Sequence, residues 1–483
     1  MKSTESIVSR TAAATFAAFV ALLALSCFIR PDVTPGQDAA QYLDAMRRFQ
    51  ARGLGLPYPQ EPLFPLFLVL LEKLGLPVER FAPLVQNALF LSGLYLFLRS
   101  LFGRLLSSIR TLQLALAIAA IPTFFIVMNG SLYTESLTAT LVLVLISSFV
   151  RLIRNLVLPQ ANPRLVAAGW LLAALAAALL LSLVKGSFAY IHLLFCILGM
   201  AWLLLSGGFR AALVPPQRRA ALLAGCAWFA LVAIGGGAGG PMWLRLQQYR
   251  AAAESQLYER GGAILYGRTE YARRFSFAAD SVPYLLNALS ESACRRIYGE
   301  KAMAYNFLTE NEIGYQKRIR EGVPDAELFQ QGLRNIRDNP CRQSVFAFYE
   351  LARFLLHHGS AGFASLDVPL LGGAIRSLPV SLLLKLFNVL LLAALPYYVI
   401  RHRAKGSAFR RAWSSLPVET RAGTACYVLY AVAYLAVYGF ATTVVRMVYP
   451  IAPFLIVLNC QCLAVARGSA AAAPSARQPD QPA

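Results

Sequence analysis

The sequence predicts an all-α fold: a polytopic bundle of about ten transmembrane helices, with interfacial helices in the first outer loop and a small helical extracytoplasmic domain. Three observations carry this. Apolar runs long enough to cross ~30 Å of hydrocarbon recur along most of the 483 residues. Hydrophobic residues make up 57% of the chain and charged residues only 14%, a balance that does not suit a water-soluble globular domain. The arginines gather in short breaks between alternate apolar runs, as cytoplasmic loops require. The same clustering explains the net charge of +21 by topology and excludes a nucleic-acid partner.

Met1 to Arg10 is a short basic leader, so the first span, roughly 11–29, runs from inside to outside. The run Ala24-Leu25-Ser26-Cys27-Phe28 lacks the small-x-small ending of a signal-peptidase site and reads as part of a retained span. Outside comes a stretch carrying Asp32, Asp38 and Asp44 in an otherwise apolar chain. Asp38 comes after Pro35-Gly36 and opens a segment whose Tyr42, Leu43, Met46 and Phe49 recur at helical spacing, an amphipathic helix lying on the outer surface. Pro62 to Leu71 is too short to cross before Glu72 and Lys73 interrupt it, and reads as a helix dipping into the outer interface.

The next span, Phe81 to Leu98, runs inward to Arg99, Arg104 and Arg110. Leu112 to Met128 returns outward, turns at Asn129-Gly130-Ser131 and re-enters near Leu132, with Glu135 just inside the apolar run. Arg151, Arg154 and Arg164 mark another inner loop, and Leu165 to Val184 climbs outward to Lys185. Phe188 to Leu205 leads back to Arg210, Arg218 and Arg219, and Leu222 to Trp243 goes out through a glycine-rich run, Gly235 to Gly240, that permits close packing or a kink. From Leu244 to about Arg376 lies the one large polar region, with helical patterns at Asp325 to Asp338 and Val345 to Leu356. The second of these carries Glu350 and Arg353 and belongs on the interface. Leu378 to Ile400 runs inward to the most basic loop, Arg401 to Arg411, Thr424 to Ala441 goes out, and about Ile451 to Val465 returns. The chain thus divides into an N-terminal transmembrane region 1–243, an outer helical domain 244–376, C-terminal transmembrane helices 377–466 and a disordered cytoplasmic tail 467–483.

This topology puts Asp38, Glu135, Lys185 and Arg446 at one level on the outer side. Each has an ordinary explanation. Asp38 and Gln41 make a fair capping box, Glu135 stands at a helix N-terminus four residues after Ser131, and a terminal lysine such as Lys185 snorkels. Acidic and basic groups at one depth equally suit a site that handles a phosphorylated lipid, so both readings stand. Cys294 and Cys341 fall in the polar outer region, where an oxidising compartment would let them pair, and the sequence leaves open whether they meet. The other six cysteines lie in or near apolar runs as small hydrophobes. The four histidines, including adjacent His357 and His358, make no zinc or nucleophile-elbow motif, which excludes a soluble Ser/His/Asp hydrolase.

In order along the chain these features resemble the GT-C superfamily of integral-membrane glycosyltransferases. The likeness is nearest to the branch of protein mannosyltransferases and lipid A aminoarabinose transferases, which use polyprenyl-phosphate sugars. It rests on the acidic residue after the first span (Asp38 in GQDAAQYLDAMRRF), the Pro-rich re-entry EPLFPLFLVLLEKLG, and the carboxylate of Tyr133-Thr134-Glu135-Ser136-Leu137. The helix AAGWLLAALAAALLLSLVKG ending in Lys185, and the Arg-x-x-Tyr-Pro of Arg446 to Pro450, complete it. The motifs are short, and their order and side of the membrane carry the likeness. The branch often has a paired Asp-Glu in the first outer loop, whereas here Asp38 is followed by Ala39, a departure that bears on metal assistance.

The resemblance implies inverting transfer of a sugar from a polyprenyl-phosphate donor to a lipid, glycan or protein acceptor on the outer face of the membrane; the arginine-marked topology puts both termini in the cytoplasm, and the Ala- and Arg-rich composition points to a bacterial inner membrane. Asp38 is then the base. Glu135 orients the acceptor or shares a divalent metal ion with Asp38, and Arg446, Lys185 and Tyr449 hold the donor phosphate. The rival readings are a lipid-linked glycan polymerase or ligase, and a polyprenyl-lipid transporter or flippase. A transporter should show mid-membrane charges and an inverted repeat, and no convincing repeat relates the two halves.

Overall fold

The computed structural model describes residues 38–52, 62–102, 134–157, 163–205, 215–238, 261–305, 307–356, 366–368, 373–375 and 418–441. The expected spans at 11–29, 112–128, 378–400 and 451–465, and the tail, lie outside the described residues. Among the described residues the chain is helical apart from one antiparallel hairpin, β1 (Leu366–Val368) with β2 (Gly373–Ile375), in which Leu366 faces Ile375. The hairpin departs from the expected all-helical pattern; β-branched Val368 and Ile375 favour extended backbone.

Helix α1 (Asp38–Arg52) and helix α2 (Leu63–Lys73) pack on each other. Leu43, Ala45, Met46 and Phe49 of α1 are buried, while Asp44 and Arg48 pair at 2.6 Å on its exposed face, the amphipathic division that the sequence spacing requires. Tyr42 meets Phe64 edge to face at 4.8 Å, and Gln50 donates to Glu72. With 11 residues α2 is too short to cross a bilayer, being about 16 Å long. The chain then turns through Gly75, at φ +73°, into helix α3 (Val78–Phe102).

Among the described residues four apolar stretches are long enough to cross a membrane: Glu135–Val157, Arg164–Val184, Phe188–Leu205 and Arg219–Gly236. They make this a membrane protein. They belong to helices α4 (Glu135–Val157), α5 (Pro163–Val184), α6 (Phe188–Leu205) and α7 (Pro215–Ala233), the last continuing into a π-helical segment, Ile234–Ala238. Helix α4 is the centre: 89% of its span is buried, against 28% for that of α5, because α3, α5, α7 and helix α14 (Val418–Ala441) all pack around it.

Contacts fix the directions. Ser136 Oγ donates to the Gln86 carbonyl at 3.2 Å, Gly93 lies against Thr140, and Arg151 Nε donates to Ser100 Oγ at 2.9 Å. Numbers rise together along both helices, so α3 and α4 are parallel. In α14 and α6 they run oppositely, with Phe188 beside Tyr434 at 6.0 Å and Phe195 beside Tyr430 at 5.0 Å. Arg99 and Arg154 therefore mark one end of the bundle, and Glu135 the other. Between the ends, Phe149, Phe195, Trp228 and Phe229 interlock, and the Trp228 indole donates to Ser148 Oγ at 2.9 Å, which satisfies its one polar atom.

The polar region forms a second helical body around helix α8 (Gly261–Arg274). Along the chain α8 leads to α9 (Phe277–Leu289), α10 (Glu291–Tyr298), α11 (Phe307–Tyr315), α12 (Asp325–Asp338) and α13 (Pro340–Leu356). The Asp325 carboxylate accepts the backbone N–H groups of Gly262 and Ala263, both at 2.8 Å, closing the N-terminus of α8 from a different helix. Tyr271, Phe275, Tyr284 and Phe346 form its aromatic core. Helices α8 and α13 touch α14, which joins this body to the bundle.

Candidate active site at one end of the helix bundle

Glu135 is the first residue of α4, and Lys185 comes directly after the last residue of α5. Helices α4 and α5 pack side by side, and Lys185 Nζ donates to Glu135 Oε1 at 2.9 Å, with the two side chains only 12% and 9% exposed. Both charges also suit their helix ends, a carboxylate at an N-terminus and an ammonium at a C-terminus, each arrangement contributing about 0.3–1 kcal/mol. The Glu135 helix begins one residue after Thr134, so Thr134 takes the cap position.

Helix α1, which Asp38 opens, lies at this same end. It packs on α2, and α2 leads by a short turn into the N-terminus of α3, the end where Gln86 meets Ser136. The Asp38 side chain, Arg446 and Tyr449 fall outside the described residues. Two of the expected site residues, Glu135 and Lys185, are thus brought together, and the backbone of a third, Asp38, is carried on an element at the same end. Among the described residues no group of three or more His, Cys, Asp and Glu stands together as a metal site, and Glu135 is engaged by an ammonium. The described residues therefore do not make up a divalent-metal site.

Beneath the pair lies a group that the sequence pattern does not single out. Ser182, one turn before Lys185, donates to the Gly236 carbonyl of the π segment at 2.8 Å. Gly236 lies so close to His192 that a Cβ there would fall 2.0 Å from the imidazole Nδ1. His192 is fully buried between Phe188 and Tyr430, and neither ring nitrogen has a hydrogen-bond partner. A histidine inside the apolar run FAYIHLLFCILG was the available signal, because an ionisable residue at such depth is costly. Two polar residues at this end, Asn87 and Thr134, are also buried, and polar residues near a span end draw no attention in a sequence until their burial is known.

Cys294 and Cys341 do not pair. Cys341 is an exposed free thiol, whereas Cys294 is buried with its S–H directed to the Pro283 carbonyl at 3.4 Å. The opening sequence Pro-Cys of α13 leaves Cys341 on its exposed first turn, while the Ser290-capped α10 turns Cys294 inward. The chain matches no family model, no curated protein and no solved structure.

Proposed function

We propose that the chain is a membrane glycosyltransferase of the GT-C type. It moves a sugar from a polyprenyl-phosphate donor to a lipid, glycan or protein acceptor at the outer face of a bacterial inner membrane, with about ten spans and both termini cytoplasmic. The observation that supports this most is the buried Glu135–Lys185 pair at the end of the bundle that also carries the Asp38 helix. A charge pair in a membrane bundle is costly to keep, and its position at the mouth suits a phosphorylated lipid whose head group stays at the interface.

In this reading the acceptor hydroxyl oxygen attacks the anomeric carbon while its proton passes to the Asp38 carboxylate, and the bond from that carbon to the phosphate oxygen breaks. Configuration inverts because attack and departure are on opposite faces. The polyprenyl phosphate leaves already ionised, so it needs cations and no proton. Lys185 meets it as a point charge positioned by Glu135, and Arg446 adds a planar fork that can hold two phosphate oxygens. Tyr449, three residues after Arg446 in the sequence, adds a hydroxyl to that set.

The test is transfer of label from radiolabelled polyprenyl-phosphate sugars in membranes containing the chain, with Asp38→Asn beside wild type and chelator in a parallel sample. Label should reach a second molecule only with Asp38 intact, while the variant accumulates normally in the membrane. A fully active Asp38→Asn removes the base assignment. Movement of intact lipid-linked sugar across the bilayer without transfer favours a flippase, and a ladder of product sizes favours a polymerase.

A further inference from the structure

Glycosyl transfer of the proposed kind, the reading on which this subsite rests, needs a seat for the sugar ring as well as for the phosphate. Asn87 on α3 is fully buried, and neither its Nδ2 nor its Oδ1 has a hydrogen-bond partner. Thr134 is 1% exposed, and its Oγ1 is equally without one, although a threonine at a helix N-cap ordinarily accepts an N–H of the first turn. Buried polar groups are nearly always satisfied, so two such groups within two residues of one interhelix contact call for an explanation. They share a level of the bundle. Thr134 adjoins Glu135, and Asn87 adjoins Gln86, whose carbonyl accepts the Ser136 hydroxyl at 3.2 Å. The Glu135–Lys185 pair is at the same level.

The chemistry of the two groups selects among ligands. A carboxamide offers two donors and an acceptor, and a threonine hydroxyl both donates and accepts. An ionised phosphate only accepts and would leave Asn87 Oδ1 unmet; an isoprenoid chain would leave every one of these atoms unmet. Sugar hydroxyls donate and accept at once and can satisfy all of them. We propose that Asn87 and Thr134, beside the Glu135–Lys185 pair, form the subsite that binds hydroxyl groups of the donor sugar. The subsite is closed to solvent in this structure, so the sugar enters when this end of the bundle opens.

The full-length protein in lipid nanodiscs is titrated with bare polyprenyl phosphate and with polyprenyl phosphates carrying glucose, mannose or 4-amino-arabinose, and its Tm is monitored. Wild type should bind one of the sugar-bearing carriers at least about tenfold more tightly than the bare carrier. Asn87→Leu should erase that preference while binding the bare carrier within about twofold of wild type, and Thr134→Val should erase part of it. Without ligand, the Tm of Asn87→Leu should equal or exceed that of wild type, since it removes an unmet amide. An unchanged sugar preference in Asn87→Leu overturns the subsite and leaves the glycosyltransferase reading intact. So does a lowered Tm with no change in preference, which marks an amide bonded to ordered water. If wild type binds no carrier, the glycosyltransferase reading fails; free monosaccharides at millimolar concentration then decide the subsite, which survives only if they raise Tm and Asn87→Leu abolishes the rise.

Discussion

Lys185 and Glu135, fifty positions apart in the chain, meet at 2.9 Å where the C-terminus of α5 reaches the N-terminus of α4. Removing one member of such a buried pair strands the other, at about 3–5 kcal/mol, whereas removing both can be nearly neutral. Glu135→Leu and Lys185→Met should each lower Tm, and the double variant should recover most of the loss. If the proposed glycosyl transfer is the activity, all three should also lose it. Thermal unfolding in detergent checks the first part; single variants as stable as wild type would mean that the pair contributes nothing to the fold.

Gly236 and His192 occupy one space. With a Cβ at position 236 falling 2.0 Å from Nδ1, Gly236→Ala must move either the imidazole or the π segment. A loss of about 1–3 kcal/mol is expected. His192→Ala removes the obstruction, so the two substitutions should be coupled, with the double variant more stable than the sum of the singles requires. Strictly additive effects on Tm would show that the close approach is not what position 236 is selected for.

Burial pushes the Glu350 carboxyl above the ordinary glutamate range, and this outweighs the opposing charges of Arg353 and Arg268. The folded protein therefore holds this proton more tightly than the unfolded chain, whose value is about 4.3. Its contribution to stability is complete below that value and is lost as pH rises through the higher folded value. Glu350→Gln keeps the shape and an acceptor for Arg353, which stands 3.5 Å away, and is free of that loss. The Tm of Glu350→Gln relative to wild type should climb as pH rises from about 4 and then level off. A difference that stays flat across the range rejects this account.

Cys341 is exposed, while Cys294 is buried and burial raises its thiol pKa, leaving less thiolate. Maleimide applied to the folded protein should modify Cys341 and spare Cys294 until denaturant is added, as read by peptide mass. A disulfide-linked peptide joining the two would contradict the structure.

Much of the architecture was legible because it obeys local rules. Asp325 to Asp338 reads as a helix from its apolar spacing and its Asn339-Pro340 stop, and α12 has those bounds. Pro62 to Leu71 reads as too short to cross, and α2 is. The seventh helix was expected from Leu222 to Trp243; its described part instead begins at Pro215 and changes to π geometry at Ile234, where the glycines withdraw the side chains that hold an α-helix in register. The Glu135–Lys185 contact could not be read at all, only the common level of its members, because it depends on which faces of α4 and α5 meet. The empty hydrogen-bonding atoms of Asn87, Thr134 and His192 are likewise properties of packing, invisible to periodicity.

The central place of α4 has a consequence for biosynthesis. One wall of its surroundings is α14, which the ribosome makes only after α5, α6, α7 and the whole second helical body. Until α14 inserts, the side of α4 that it will cover faces lipid or the insertion machinery, and the site end stays incomplete around Phe188, His192 and Tyr430. Assembly of the bundle is therefore a late event in translation. A chain truncated before residue 418 should enter the membrane and yet present quality-control proteases with a long unfilled groove.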